Sequence, residues 1–225
     1  MTQIRKDPLE NGEYYHIFSR SIAKFIVFNN TKEYLRIVDL LCLHQFANFK
    51  YKYSKYSDLD KEFQNSIFTS LVSSNNKLVE IAAYCIMPTH FHLILKQITD
   101  GGISKYVSRV LNSYTRYFNL IHRRTGPLWS GRFKSVLVSE NDQLLHLTRY
   151  IHLNPTSAEL TKKPDDWQYS SYNEYIDKQS GRNICVFENV IDLKQKQYEK
   201  FVVDRQKYQL ELSKIKQLLI DDYTG

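Results

Sequence analysis

The sequence predicts an α+β fold, an antiparallel sheet covered by helices, with a helical insertion and a helical C-terminal tail. Three observations predict it. Short apolar or alternating segments occur at Glu13–Ser19, Val79–Ile86, His90–Leu95 and Phe133–Val138, as strands require. Segments beginning near Thr31, Ser104 and Ser139 carry apolar residues three and four apart, the helical period. The second and third strand segments are separated only by a turn at Pro88, too short for a parallel crossover.

Each element has its own local reason. Asn11-Gly12 introduces the first strand, Glu13-Tyr14-Tyr15-His16-Ile17-Phe18-Ser19. The loop to Asn30 is expected to anchor through Phe25, Ile26 and Phe28. Thr31 is placed to cap a helix to about Phe46, with Tyr34, Leu35, Val38, Leu41 and Cys42 in period. Lys50-Tyr51-Lys52-Tyr53-Ser54-Lys55-Tyr56 reads as a solvated loop or short hairpin, or as a basic, aromatic contact surface for a nucleic-acid strand. Ser57, with Asp60 three residues on, is expected to open a helix whose Leu59, Phe63, Ile67 and Leu71 share one face and which Ser73-Ser74-Asn75-Asn76 ends.

After the Pro88 hairpin and Asp100-Gly101-Gly102, Ser104 is expected to cap a helix to about His122. Val107, Val110, Leu111, Tyr114 and Phe118 form its stripe. A basic loop, Arg123 to Arg132, leads to the last strand. Ser139 and Asp142 suggest the start of a further helix. Pro155 disfavours helical backbone at Asn154, so the helix is expected to stop there. Trp167, Tyr169, Tyr172 and Tyr175 are expected to pack back on the body as an aromatic plug. Without the insertion, the order is strand, helix, strand, strand, helix, strand, that of a ferredoxin-like layer. Two helices would cover one face of the sheet, and the last helix could cross the other. The expected organisation is a catalytic domain over 1–177, an insertion at about 47–77, and a charged helical tail over 178–225.

Composition narrows the function classes. The chain has 225 residues, 42% hydrophobic and 24% charged, as soluble globular proteins do. Its net charge of +7 and pI of about 9.1 favour an anionic partner, nucleic acid first. Aromatics are 14%, with 17 Tyr, and aromatic faces among Lys and Arg suit unpaired bases beside phosphates. Cys42, Cys85 and Cys185 are far apart in apolar settings, which points to reduced thiols and a cytoplasmic location instead of a disulfide framework. No apolar run is long enough to span a membrane, and no signal-type apolar region follows Met1-Thr2-Gln3-Ile4-Arg5-Lys6.

Chemistry concentrates at two places. In His90-Phe91-His92, strand alternation sends both imidazoles to one face and Phe91, Leu93 and Leu95 to the other. Two imidazoles on a rigid strand make a bidentate metal seat, or a hydrogen-bonded surface pair. Tyr150 and Asn154 are four apart on the last helix, with His146 one turn earlier. They suit a nucleophile beside a metal ligand, or a buried aromatic and a helix terminator.

His90-Phe91-His92, preceded by Tyr84-Cys85-Ile86-Met87-Pro88, resembles the His-hydrophobic-His motif of the single-tyrosine HUH transposases. The resemblance continues through Tyr117-Phe118-Asn119, then Gly126-Pro127-Leu128-Trp129-Ser130-Gly131-Arg132-Phe133-Lys134-Ser135, and Arg149-Tyr150-Ile151-His152-Leu153-Asn154-Pro155. With Trp167 to Tyr172, the combination is similar to the REP-associated tyrosine transposases over roughly Tyr14 to Tyr175. It implies a ferredoxin-like catalytic fold that cleaves and rejoins single-stranded or hairpin DNA through a covalent 5′-phosphotyrosine. By motif position, Tyr150 is the nucleophile and His90 and His92 are metal ligands. Asn154 stands where related transposases carry a Gln ligand. Such a mixed set admits Mg²⁺ or Mn²⁺.

Arg123, Arg124, Arg132 and Lys134 are then expected to clamp phosphates. Trp129 is expected to pack inward. The segment from Lys50 to Asn76 is longer than the family's usual connection, and Thr156-Ser157-Ala158-Glu159-Leu160 replaces its small basic turn. Related transposases include dimers that exchange their tyrosine helices, and the charged tail is a candidate surface for such a homodimer. A non-cleaving hairpin binder and a metal hydrolase acting on a small substrate are the competing functions.

Overall fold

A computed structural model describes residues 8–178, 183–187, 190 and 192–221. Its centre is a four-stranded sheet in the order β2-β3-β1-β4, formed by β1 (Tyr14–Arg20), β2 (Val79–Met87), β3 (His90–Gln97) and β4 (Lys134–Val138). Each neighbouring pair is antiparallel, so the predicted α+β, ferredoxin-like layer is the fold observed. Pro88 and Thr89 form the tight hairpin between β2 and β3, whose last ladder pair is Met87 with His90.

Alternation divides the sheet into two chemically different faces. Tyr15 and Ile17 of β1, with Phe91, Leu93 and Leu95 of β3, are fully buried against α1 (Thr31–His44) and α4 (Gly102–Ile121). The predicted α4 stripe of Val107, Val110, Leu111, Tyr114 and Phe118 is buried there. The opposite face receives α5 (Asn141–Ser157), whose Leu144, Ile151 and Leu153 pack with Ala83, Cys85 and Ile94. The expected plug also forms: Tyr172 and Tyr175, the ends of α6 (Tyr172–Tyr175), are buried, Trp167 Nε1 donates to the Ile86 carbonyl at 3.0 Å, and Tyr169 stacks on Tyr34. Trp129 packs inward, donating to Thr115 Oγ1. All three cysteines are free.

Several boundaries depart from the sequence reading. Asn30, not Thr31, caps α1, its Oδ1 accepting from Glu33 N–H, while the Glu33 carboxylate accepts from Asn29 N–H. The loop before it anchors through Val27 and Phe28; Phe25 and Ile26 are half exposed. The Lys50–Tyr56 segment is neither loop nor hairpin throughout, because Tyr53–Ser57 form a short helix (α2) with Tyr56 buried. Asp60 caps α3 (Lys61–Ser74) directly, so Ser57 does not open it. Phe63 on its expected apolar face is half exposed, whereas Leu71 is buried.

The start of α4 is set by backbone proximity. Gly101 is its N-cap at φ +66, and a Cβ on Gly102 would lie 2.2 Å from the Leu78 carbonyl oxygen. The helix therefore begins at the glycine pair, with Ser104 already inside it. Glu140, not Ser139, precedes α5, without a side-chain cap.

Pro155 does not stop α5. Proline removes the bond to the Ile151 carbonyl, a cost of about 3 kcal/mol in a helix interior. Yet Leu153 to Ser157 are all buried, and the last turn is held by Ala158 N–H to Asn154 C=O and Leu160 N–H to Pro155 C=O, both 3.0 Å. Packing of that turn outweighs the local preference.

The C-terminal segment lies on α5. Tyr198 and Val202 of α7 (Gln195–Val203) are buried in the α5-side core. Ser213 Oγ of α8 (Gln206–Asp221) donates to the Ser157 carbonyl at 2.8 Å, and Gln209 Nε2 to the Tyr150 carbonyl at 3.0 Å. No helix among the described residues is long and apolar enough to cross a membrane.

Candidate active site

The site lies on the α5 face of the sheet. β3 brings His90 and His92 there, with ring centroids 5.1 Å apart and planes nearly perpendicular. Register adds residues that the sequence reading did not single out. Arg20 faces His90 and Phe18 faces His92 across β1. His16, two residues before Phe18, stacks on His92 at 5.1 Å and shares a 2.9 Å hydrogen bond between its Nε2 and His92 Nδ1. The available signal was parity: Tyr14, His16, Phe18 and Arg20 alternate with buried Tyr15 and Ile17.

Burial disfavours protonation of all three imidazoles. It pushes His16 down to about 4, and it pushes His90 to about 4 with help from Arg20. His92 lies well below the ordinary histidine value, through burial and then the neighbouring His90, His16 and Arg20. At neutral pH the group is uncharged, the form in which imidazole offers a lone pair. One nitrogen of each β3 histidine is already engaged, His90 Nδ1 with Thr89 Oγ1 at 3.0 Å and His92 Nδ1 with His16. Such contacts orient metal-binding imidazoles and leave the second nitrogen for the ion.

α5 delivers Tyr150 to this face. Its ring meets His92 edge-on at 6.0 Å, and the residue is 39% exposed. Burial of the hydroxyl raises its pKa above the ordinary phenol range. Tyr114 and Tyr117, two further helical tyrosines, are on α4 across the sheet. Tyr114 is fully buried and donates to the Val27 carbonyl.

Asn154 is one turn beyond Tyr150 within continuous helix, so it is not a terminator. With Tyr150, His146 and Arg149 it lines a pocket of about 440 Å³ whose other wall is Arg205, Tyr208 and neighbouring residues of α8. Its buried amide nitrogen has no hydrogen-bond partner. Among the described residues, no three His, Cys, Asp or Glu side chains are grouped to hold a metal. Two neutral imidazoles are of the right chemistry for a divalent ion that accepts nitrogen ligands, whereas Asn154 lines the pocket against α8, whose lining does not include His90 or His92.

The four basic residues separate. Lys134 is opposite Phe18 on β4, on the same face as His92, and its side chain is exposed. Arg132 precedes it, is exposed, and lines a pocket with Ser104, Ser108 and Thr115 of α4, on the opposite side of the sheet. Arg123 and Arg124 follow α4, on the other side of the sheet. Arg123 is exposed at φ +49. Arg124 donates to Asn119 Oδ1 and the Pro127 carbonyl, which ties it into its own loop.

With this geometry in place, comparison with known proteins is informative. The profile of the family described as "Transposase IS200 like" matches residues 37–154, just over half of the chain, and that span contains His90, His92, Tyr150 and Asn154. A Haemophilus influenzae protein assigned by name to the REP-associated tyrosine transposases is 28% identical over 107 residues, covering 43% of this chain and 61% of that protein. The chain thus matches less than two thirds of that relative's length. The solved structure of a REP-associated tyrosine transposase bound to a REP hairpin superposes with a TM-score of 0.55 at 16% identity, over 86% of this chain and 95% of that one. The matched span, the sheet order and the paired histidines agree on one assignment: the chain belongs to the IS200-like transposases.

Proposed function

We propose that this chain cleaves and rejoins single-stranded DNA at hairpin-flanked sites through a 5′-phosphotyrosine on Tyr150. The observation that carries the reading is the meeting of Tyr150 with His92, 6.0 Å between rings, on a face that also holds His90 and His16. The solved relative bound to a REP hairpin supports hairpin DNA as the substrate class.

His90, His92 and Asn154 would hold a divalent ion, Mg²⁺ or Mn²⁺. Such an ion neutralises charge on a non-bridging phosphate oxygen and favours in-line attack. The chain's own residues do the remainder. The Tyr150 phenol is protonated at neutral pH and gives up its proton as the oxygen bonds to phosphorus. The bond from phosphorus to the 3′ oxygen breaks, and that oxygen leaves as a 3′-hydroxyl. The phosphotyrosine retains the energy of the broken ester, so another strand's 3′-hydroxyl can reverse the step without a nucleotide cofactor. Exposed Lys134 would contact phosphates on this face, whereas Arg132, which lines a pocket against α4, would contact them on the other. Arg123 and Arg124 would reach DNA only where it passes the end of α4.

The test is a 3′-labelled hairpin oligonucleotide incubated with and without Mn²⁺ and resolved on a denaturing gel. Wild type should give a metal-dependent covalent adduct. Tyr150→Phe should retain hairpin binding and lose the adduct, and peptide mapping should place the DNA on Tyr150. Hairpin binding with no adduct from wild type under any metal would establish a non-cleaving binder instead.

A further inference from the structure

The insertion closes a second pocket, across the sheet from Tyr150. It lies between α1, the start of α2 and α4, and encloses about 730 Å³. Arg36, Lys52, Lys105, Arg109 and Arg116 line it, and among its described lining residues there is no Asp or Glu. Tyr51, Tyr53 and Tyr117 supply aromatic faces. The Arg36 guanidinium lies over two of them, 3.8 Å from the Tyr53 centroid and 4.6 Å from that of Tyr117.

Two further observations point to a ligand. Arg36 Nε and both ring nitrogens of His44 are buried in this wall without hydrogen-bond partners. At the rim, Leu120 is 79% exposed and Tyr51 45% exposed, an apolar and aromatic edge open to solvent. The Lys50–Tyr56 bias thus has a structural outcome: one end of the segment folds as α2, and Tyr51 and Lys52 face a cavity.

We propose that this pocket holds an unpaired stretch of a DNA strand, its bases against Tyr51 and Leu120 and its phosphates on Lys52, Lys105 and Arg116. The partner is an anion, because five cations line the pocket and no described carboxylate does. It is single-stranded because duplex bases are stacked on one another, whereas a strand out of stack can offer its ring faces to tyrosine. The inference rests on the transposase reading for the source of that strand. It also makes strand holding and chemistry separable, since the pocket and Tyr150 are on opposite faces of the sheet.

The test is fluorescence anisotropy of the full chain with three probes: a labelled 12-nucleotide oligothymidylate, a blunt duplex of the same length, and thymidine monophosphate as competitor. Buffers contain EDTA, so metal-dependent cleavage does not contribute. Tyr51→Ala and the pair Lys52→Ala with Arg116→Ala alter exposed side chains, and circular dichroism checks that both variants fold. Tyr51→Ala should weaken oligothymidylate binding roughly tenfold, the scale of one lost base stack. The double variant should make the slope of log affinity against log salt shallower by about 1.4, two released contacts on a single strand. Duplex binding should change little in both. Unchanged affinity and slope, an equal loss for duplex, or displacement by the mononucleotide at concentrations that match the oligonucleotide would each overturn the proposal. Absence of a Tyr150 adduct in the gel assay would defeat the cleavage reading and leave this result standing.

Discussion

Replacing Tyr198 with Phe tests whether the C-terminal helices set the position of the tyrosine-bearing helix. The Tyr198 hydroxyl donates to Thr148 Oγ1 at 2.9 Å and shares a 2.7 Å hydrogen bond with His152 Nδ1. Tyr198 is 1% exposed, and Thr148 and His152 of α5 are fully buried. Tyr198→Phe preserves the ring and its packing, so the perturbation is confined to those two bonds. Thr148 keeps its bond to the Leu145 carbonyl, whereas His152 Nδ1 is left without its partner. A buried polar group without a partner costs about 1–3 kcal/mol, and the weakened Thr148 contact adds about 0.5 kcal/mol. The expected loss is about 2–3 kcal/mol. Urea unfolding at pH 7.5 measures it, with Tyr208→Phe as control, since Tyr208 is 54% exposed and should change little. A loss below about 0.5 kcal/mol, equal to the control, would refute the reasoning. It would mean that the contact between α7 and α5 contributes nothing to stability.

Three further outcomes are expected. On the proposed metal seat, His16→Phe keeps the stacked ring but removes the partner of His92 Nδ1, so Mn²⁺ affinity by calorimetry should fall about 10–100-fold; unchanged affinity would show that His92 needs no such support. Burial and then nearby Arg109 push His44 down to about 4, while the unfolded chain takes up that proton near its ordinary value. Above about pH 6.5 the group is neutral in both states and costs nothing, and stability is lost as pH falls from there towards 4, by about 1.4 kcal/mol per pH unit. His44→Leu should flatten that part of the stability profile, and parallel profiles for variant and wild type would count against it. Gly102→Ala places a methyl against the Leu78 carbonyl and should cost about 1–3 kcal/mol in thermal unfolding, an expectation that an unchanged Tm would overturn.

The sequence by itself determined the elements, because their signals are local. Short apolar or alternating segments became β1 to β4, and period-three-and-four segments became α1, α4 and α5. Parity alone placed His90 and His92 on one face and Phe91, Leu93 and Leu95 on the other. The four-residue spacing put Tyr150 and Asn154 on one side of α5. Element ends were less legible, since capping and strand breaking compete with packing. Asn30 displaced Thr31, and buried Leu153 to Ser157 carried the helix through Pro155.

Only the tertiary structure decided what those residues meet. His16 reaches His92 through the β1–β3 register, a relation between residues 76 positions apart that no local pattern contains. The same register set Arg20 opposite His90, and the β1–β4 register set Lys134 beside Phe18. Arg123, Arg124 and Arg132 read in sequence as neighbours of Lys134, but the turn after α4 and the pocket of Arg132 against α4 leave them on the other side of the sheet. The insertion reads as a biased surface segment until α1 and α4 supply the other walls of its pocket. Local preference fixes where each side chain points along its own element; long-range hydrophobic burial chooses which elements face one another, and therefore which polar groups share a site.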